Sequence, residues 1–172
     1  MKNLADQMAL YAAYHQDARN KATHFAGVPA IMLALFIPLS WPRVEAGPLS
    51  ISAAMVLGGA VVLYYFMLDV PLALAMLAVT AAFIALAQTV AALGAAQGWI
   101  AFGALFAGGW TLQLIGHAFE GRKPALVDNV FQVFIAPIFL CAEIFFALGY
   151  RPELHAAVQE RAQRLRAPLA SG

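Results

Sequence analysis

The sequence has one cysteine and very few charges. Cys141 alone excludes an internal disulfide and any zinc or iron–sulfur centre built on thiolates. Its apolar surroundings read as those of a small packed hydrophobe. Only 11% of the 172 residues are charged, and the net charge is +1. No basic face is available to neutralise phosphates, so nucleic acid is not an expected partner. The stretch before Phe25 is polar and amphipathic and lacks the early apolar core of a secretory signal. The first hydrophobic segment is therefore expected to be a retained anchor.

What the chain has in excess is apolar surface: 63% of its residues are hydrophobic, and the mean hydropathy is +0.77. A soluble domain is about 45–50% apolar and about 25% charged. So small a chain cannot hide this excess in a core, so its solvent must be lipid. The expected fold is all-α, a polytopic membrane helical bundle with about five hydrophobic segments, each near the length needed to cross a hydrocarbon core. These are Phe25–Trp41, Leu49–Leu68, Val70–Leu93, Trp99–Phe119 and Val130–Tyr150, the last either spanning or re-entrant at Pro137. The breaks are WPRVEAGP, the tight reversal at Asp69 and Pro71, the glycine turn GAAQG, and the polar loop EGRKPALVDN. No linker or internal repeat is visible. Residues 1–172 read as one domain: an amphipathic helix over 1–19, the bundle over 25–150 and a polar tail over 151–172.

In the N-terminal helix Leu4, Met8, Tyr11, His15 and Ala18 form one stripe, which would lie on the membrane surface or against the bundle. The stretch YHQDARNKATH that follows carries His15 and His24. On one unbroken helix these two would point to opposite faces. They serve a single site only if the helix breaks between them. Asn20, a good N-cap residue, is the expected stop and restart, and Pro29 is expected to weaken the next helix near Gly27. Counting five spans puts His117, near the end of the fourth, at the same depth and side as His24. Trp41 and Trp99 would mark the opposite interface. Lysines and arginines divide evenly between the two sides if the last segment spans, and gather with the histidines if it is re-entrant. The positive-inside rule then places the site on the cytoplasmic side.

A second polar cluster, QLIGHAFEGRKPAL, puts Gln113, His117 and Glu120 on one helical face. Gly116 beside His117 leaves room for a second backbone or a ligand. Taken singly, each residue has an ordinary reading. His15 would be a packed residue, Gln113 interhelical polar glue and Glu120 an interfacial charge beside Arg122 and Lys123. His155 would be solvated. Glu143 is an ionisable residue at membrane depth, where such groups are paired or functional; it would hydrogen-bond a ligand histidine or face a watery crevice. Together, three of the four histidines converge on one membrane face, with Asn20, Gln113 and Glu120 as oxygen or nitrogen donors. That donor set suits iron, zinc or manganese.

YHQDARNKATHFAGVP and QLIGHAFEGRKPAL, followed by FIAPIFLCAEIFFALGY, resemble the 2-hydroxy fatty acid dioxygenase family of small integral membrane proteins in fungi and bacteria. The resemblance runs from about Leu4 to about Leu154. Tyr14, His15, Asn20, His24, Gly27 and Pro29 match the first motif. Gln113, Gly116, His117, Glu120, Pro124, Ala125 and Leu126 match the second. The resemblance implies an iron(II)-dependent α-oxidation, in which a 2-hydroxy fatty acid and O₂ give CO₂ and a fatty acid one carbon shorter. In fungal relatives this serves phytosphingosine degradation; a bacterial member in the inner membrane would meet a different 2-hydroxy acid. On this reading Fe²⁺ is the cofactor, His15, His24 and His117 are ligands, and Asn20 and Glu120 are further ligands or support them. His15, His24, His117 and Glu120 are the catalytic candidates. Arg122, Lys123, Gln113 and Tyr14 would bind substrate, with Glu143, Gly116 and Pro124 as supporting residues. The alternative from another class is a small transporter that relays protons through Glu143 and the histidines. Nothing in the sequence fixes an oligomeric state.

Overall fold

A computed structural model describes residues 4–121 and 131–169. Its elements are α1 (Leu4–Ala13), α2 (Ala18–Leu39), β1 (Arg43–Ala46), β2 (Leu49–Ser52), α3 (Ala53–Phe66), α4 (Val70–Ala92), α5 (Ala95–Glu120), α6 (Gln132–Ala147) and α7 (Pro152–Leu169). The all-α expectation holds, with one small hairpin added. The chain divides into two compact units, Met1–Phe25 with Gln113–Gly172, and Ala26–Leu112.

In the unit Ala26–Leu112, WPRVEAGP is more than a break. Residues 43–46 pair antiparallel with residues 49–52, Val44 opposite Ile51, so the expected segment Leu49–Leu68 opens as a strand. Gly47 turns the hairpin at φ +61°, where a side chain would be strained. Ser52 then caps α3 by accepting from the Met55 N–H. Asp69 caps α4 through the Leu72 N–H, with Pro71 in the first turn, which makes the expected tight reversal. Pro29 and Pro38 lie inside α2, and the helix runs through both. The expected weakening at Pro29 does not stop it, because neighbouring helices support an apolar helix. Gly27 and Gly109 mark a close approach of α2 and α5: a Cβ on Gly109 would stand 3.0 Å from the Gly27 carbonyl oxygen. Phe36, Ile37, Ala54, Ala87 and Ala91 form the local core.

Among the described residues three helices, α2, α4 and α5, are long and apolar enough to cross a membrane. They leave large side chains such as Leu74, Leu77, Leu86 and Ile100 exposed, as a lipid-facing helix does. At 1.5 Å per residue α3 is about 21 Å long and α6 about 24 Å, short of a core of about 30 Å.

In the other unit α1 packs on α6 and α7. Leu4, Met8 and Tyr11 of the expected stripe are buried there with Ala9, Ala12 and Ala13, whereas Ala18, expected on the same stripe, is exposed at the start of α2. The expected polar tail is helix α7, whose Val158 and Ala162 have no exposure. Glu153, Glu160 and Arg164 lie on the opposite, exposed face, whereas Arg161 and Arg166 flank the buried stripe and reach Asp6 and Glu120. Asp6 of α1 accepts from Arg161 of α7 at 2.5 Å. His155 is not simply solvated: its ring stacks on Phe146 at 4.7 Å. The turn between α6 and α7 passes through Gly149 and Arg151, both at positive φ.

Met8 is fully enclosed in α1. Met8→Ala should cost about 2–5 kcal/mol through the cavity it leaves. Denaturant unfolding of the purified protein, followed by circular dichroism, should report this as a lower midpoint with unchanged slope.

Candidate metal centre

The site lies within the unit made of residues 1–25 and 113–172. α1 ends at Ala13 and α2 begins at Ala18, with four residues between them. The helix break between His15 and His24 is therefore present, but three residues before Asn20. Asp17 is the cap: its Oδ1 accepts from the Arg19 N–H at 2.8 Å. The Arg19 side chain also bonds the Asp17 carboxylate, and this holds the acid down at about 2. Asn20 sits inside the first turn of α2 and faces inward, fully buried.

The break lets His15 and His24 meet, with Nε2 atoms 3.0 Å apart. His117 arrives from the last turn of α5, its ring centroid 5.0 Å from each of the other two. One nitrogen from each of the three lies within 4.8 Å of the others, and all three residues are buried. His15 Nδ1 lies 2.7 Å from the Tyr11 carbonyl oxygen, and His24 Nδ1 lies 2.8 Å from that of Asn20. A carbonyl only accepts, so both Nδ1 atoms carry the proton and both Nε2 atoms present lone pairs. Two acceptors at 3.0 Å repel unless a positive centre stands between them. Burial, with His24 beside it, pushes the His15 ring well below its usual range, which argues against a proton. A metal ion fits. Each neutral ring offers such an ion one imidazole lone pair, the donor type that iron, zinc and manganese accept. His117 Nδ1 and Asn20 Oδ1 are also buried with no hydrogen-bond partner among the described residues.

The surrounding contacts fix the two histidine-bearing segments. Tyr11 stacks on His15 with centroids 4.0 Å apart and planes 6° apart, and Phe139 of α6 packs on Tyr11 at 4.7 Å. Glu120 has a side chain with no exposure. Its Oε2 accepts from the Gln16 and Asp17 N–H groups at 3.0 and 2.7 Å and from Asn20 Nδ2 at 3.2 Å. Its Oε1 accepts from Arg166 of α7 at 2.9 Å. Glu120 thus stands behind the histidines and holds the break, with both oxygens engaged. A Cβ on Gly116 would stand 2.5 Å from Asn20 Oδ1 and 3.3 Å from His24 Nδ1, and would also collide with Thr23 Oγ1. That glycine is what lets α5 approach α2 here.

The other expected site residues fall as follows. Tyr14 is buried, and its carbonyl accepts from Asn20 Nδ2 at 3.2 Å. Gln113 is buried one turn before His117, its Nε2 without a partner among the described residues. Glu143 bonds no histidine; its partner is Lys21 at 2.8 Å. Arg122, Lys123 and Pro124 lie outside the described residues. Sequence reasoning missed Tyr11, Lys21, Phe139 and Arg166 as site residues. Tyr11 and Phe139 looked like plain core, and nothing local ties Arg166 to Glu120.

Two outcomes follow from these contacts. Arg166→Gln removes the cation facing a buried carboxylate, which should lower stability by about 1–3 kcal/mol. It should also weaken cobalt(II) binding, read by visible absorption, while Arg166→Lys recovers part of both. Separately, His15 takes a proton less readily folded than unfolded. Metal-free protein should therefore hold full stability above the ordinary histidine value of 6.5 and lose it as the pH falls below that value. Unfolding midpoints between pH 8 and 5 should show the decline in wild type and a flatter curve in His15→Gln.

Residues 1–148 match the Mpo1-like family, described as 2-hydroxy-palmitic acid dioxygenase Mpo1-like. A Saccharomyces cerevisiae protein named 2-hydroxy-palmitic acid dioxygenase MPO1 is 32% identical over 159 residues, covering 91% of this chain and 88% of the yeast one. No solved structure matches. With most of both chains aligned and both histidine motifs inside the matched stretch, the protein belongs to the Mpo1-like family.

Proposed function

We propose that this protein is a membrane-embedded, iron(II)-dependent dioxygenase that converts a 2-hydroxy fatty acid and O₂ to the fatty acid one carbon shorter, CO₂ and water. The reaction balances, because the substrate alone supplies the electrons that reduce O₂. The observation that carries the metal is the pair of lone-pair Nε2 atoms 3.0 Å apart in a buried site, with His117 completing the trio. The 2-hydroxy acid comes from the relatives' names and from the donor set. His15, His24 and His117 would hold iron, with Asn20 Oδ1, buried and without a hydrogen-bond partner among the described residues, as a further oxygen. Bound iron would supply a place for O₂ and the substrate's oxygens to meet.

The chain's own residues do the rest. Tyr11 and Asn20 carbonyls fix the tautomers of His15 and His24, so that Nε2 faces the centre. Glu120 holds the helix break that brings these rings together. Burial excludes bulk water from the reacting atoms. Gln113 Nε2 offers a buried donor one turn from His117. The proton-relay alternative is disfavoured because Glu143 pairs with Lys21 and not with a histidine. We place the site at the cytoplasmic face of a bacterial inner membrane. The packing of α7 on α1 supports this, because it gathers Arg161, Arg164 and Arg166 beside the N-terminal helix.

Purified protein should contain iron and consume O₂ with 2-hydroxypalmitate, releasing CO₂ and the fifteen-carbon acid. Alanine at His15, His24 or His117 should abolish turnover and lower bound iron while the protein still inserts in the membrane. Full activity of His117→Ala, or wild-type protein that takes up no oxygen with any 2-hydroxy acid, would sink the proposal.

A further inference from the structure

The Lys21–Glu143 pair has a use that the reading above leaves open. Lys21 Nζ donates to Glu143 Oε2 at 2.8 Å, and both side chains are largely buried, at 23% and 14% exposed. Glu143 Oε1 is buried and has no hydrogen-bond partner among the described residues. A buried carboxylate oxygen left unpaired is expensive, so such an atom is commonly reserved for something that binds. An ammonium has three donors, and Glu143 accounts for one.

The pair adjoins the histidines on both of its helices. Lys21 lies three residues before His24 on α2, one turn away on the same face. Glu143 lies four residues after Phe139 on α6, and the Phe139 ring lies 6.4 Å from that of His15. An ammonium whose one hydrogen bond among the described residues goes to Glu143 therefore sits beside a buried acceptor that wants an O–H, and Lys21 lies one helical turn before His24. A 2-hydroxy acid presents the complement: an anionic carboxylate, and on the next carbon a hydroxyl that can donate.

We infer that Lys21 and Glu143 form the head-group subsite for a 2-hydroxy acid, Lys21 holding the carboxylate and Glu143 Oε1 accepting the 2-hydroxyl proton donor. The inference rests on the proposed activity for the identity of the ligand, and it adds the basis of selectivity. Glu143 also fixes the ammonium, so that the substrate need not order it. An unhydroxylated fatty acid would leave Glu143 Oε1 buried and unpaired. Sites built to bond a hydroxyl reject the analogue that lacks it far more strongly than an apolar pocket could.

The test measures binding to full-length, detergent-solubilised protein by calorimetry and, in parallel, oxygen uptake. The ligands are 2-hydroxypalmitate, palmitate and the methyl ester of 2-hydroxypalmitate. Wild type should prefer 2-hydroxypalmitate to palmitate by at least 100-fold. Glu143→Leu should shrink that preference to 10-fold or less. Lys21→Met should weaken both acids alike by about 10-fold or more and leave the ester unchanged, with Lys21→Arg recovering most of the loss. Iron content should match wild type in each, since neither residue belongs to the histidine trio. The double variant Lys21→Met with Glu143→Leu leaves no lone buried charge, so it reports selectivity even if a single variant is unstable. Preference for the hydroxy acid that survives in both Glu143→Leu and the double variant overturns the inference, as does equal loss for acid and ester in Lys21→Met. Wild type that binds with the expected preferences but takes up no oxygen would instead overturn the proposed reaction and leave the subsite standing.

Discussion

Two imidazole nitrogens, both stripped of their proton by the hydrogen bonds behind them, face each other at 3.0 Å in a buried site. Everything else around them serves to impose that contact. Left alone, the rings would rotate apart or take up a proton. The Tyr11 and Asn20 carbonyls prevent rotation, and the apolar surroundings oppose the proton. What remains is a buried cluster that could hold a metal ion, with His117 as its third histidine.

This demand explains the cost accepted nearby. Glu120 carries a full charge with no exposure, which apolar surroundings tolerate only when every lone pair finds a donor. The donors are the two N–H groups at the helix break, the Asn20 amide and Arg166. The carboxylate is therefore a clamp: it joins the end of α5 to the start of α2, and α7 neutralises it. Arg166 lies beyond the residues 1–148 that match the family, so the last helix completes a site whose other parts sit in the matched region.

Much of this was legible. The two histidine motifs do meet, the His24 and His117 rings standing 5.0 Å apart, but only three helices among the described residues are long enough to cross a membrane, so the count of five spans is not what carries this. The need for a break between His15 and His24 followed from helical periodicity alone. Its position did not. Asp17 and Asn20 are equally good caps by type, and the choice fell to Asp17 because Asn20 is needed inward, where its amide bonds Glu120. Helix α7 was read as a polar tail because its charges outweigh a narrow stripe, Val158 and Ala162, that shows itself only once α1 is there to receive it. The hairpin at 43–52 was hidden by prolines and charges that serve a turn as well as a break. Glu143 was visible as an anomaly, but its partner Lys21 lies 122 residues away, beyond what periodicity can reach.

The division of labour along the chain follows from the same physics. Residues 26–112 hold three charged side chains, Arg43, Glu45 and Asp69, and no histidine. All four histidines and the remaining charges belong to the unit built from the first 25 residues and those from Gln113 onward. Segments exposed to lipid must bury their backbone polar groups in helices and cannot afford ionisable side chains. The imidazoles, the buried carboxylates and their cations are confined to the unit that also holds α1 and α7, where Glu153, Glu160 and Arg164 of α7 are exposed. A fatty acid has the same two halves, an apolar tail and a charged head. This chain keeps its three clustered histidines and its Lys21–Glu143 pair in one unit and commits residues 26–112 largely to apolar helices, the arrangement that the proposed function would require.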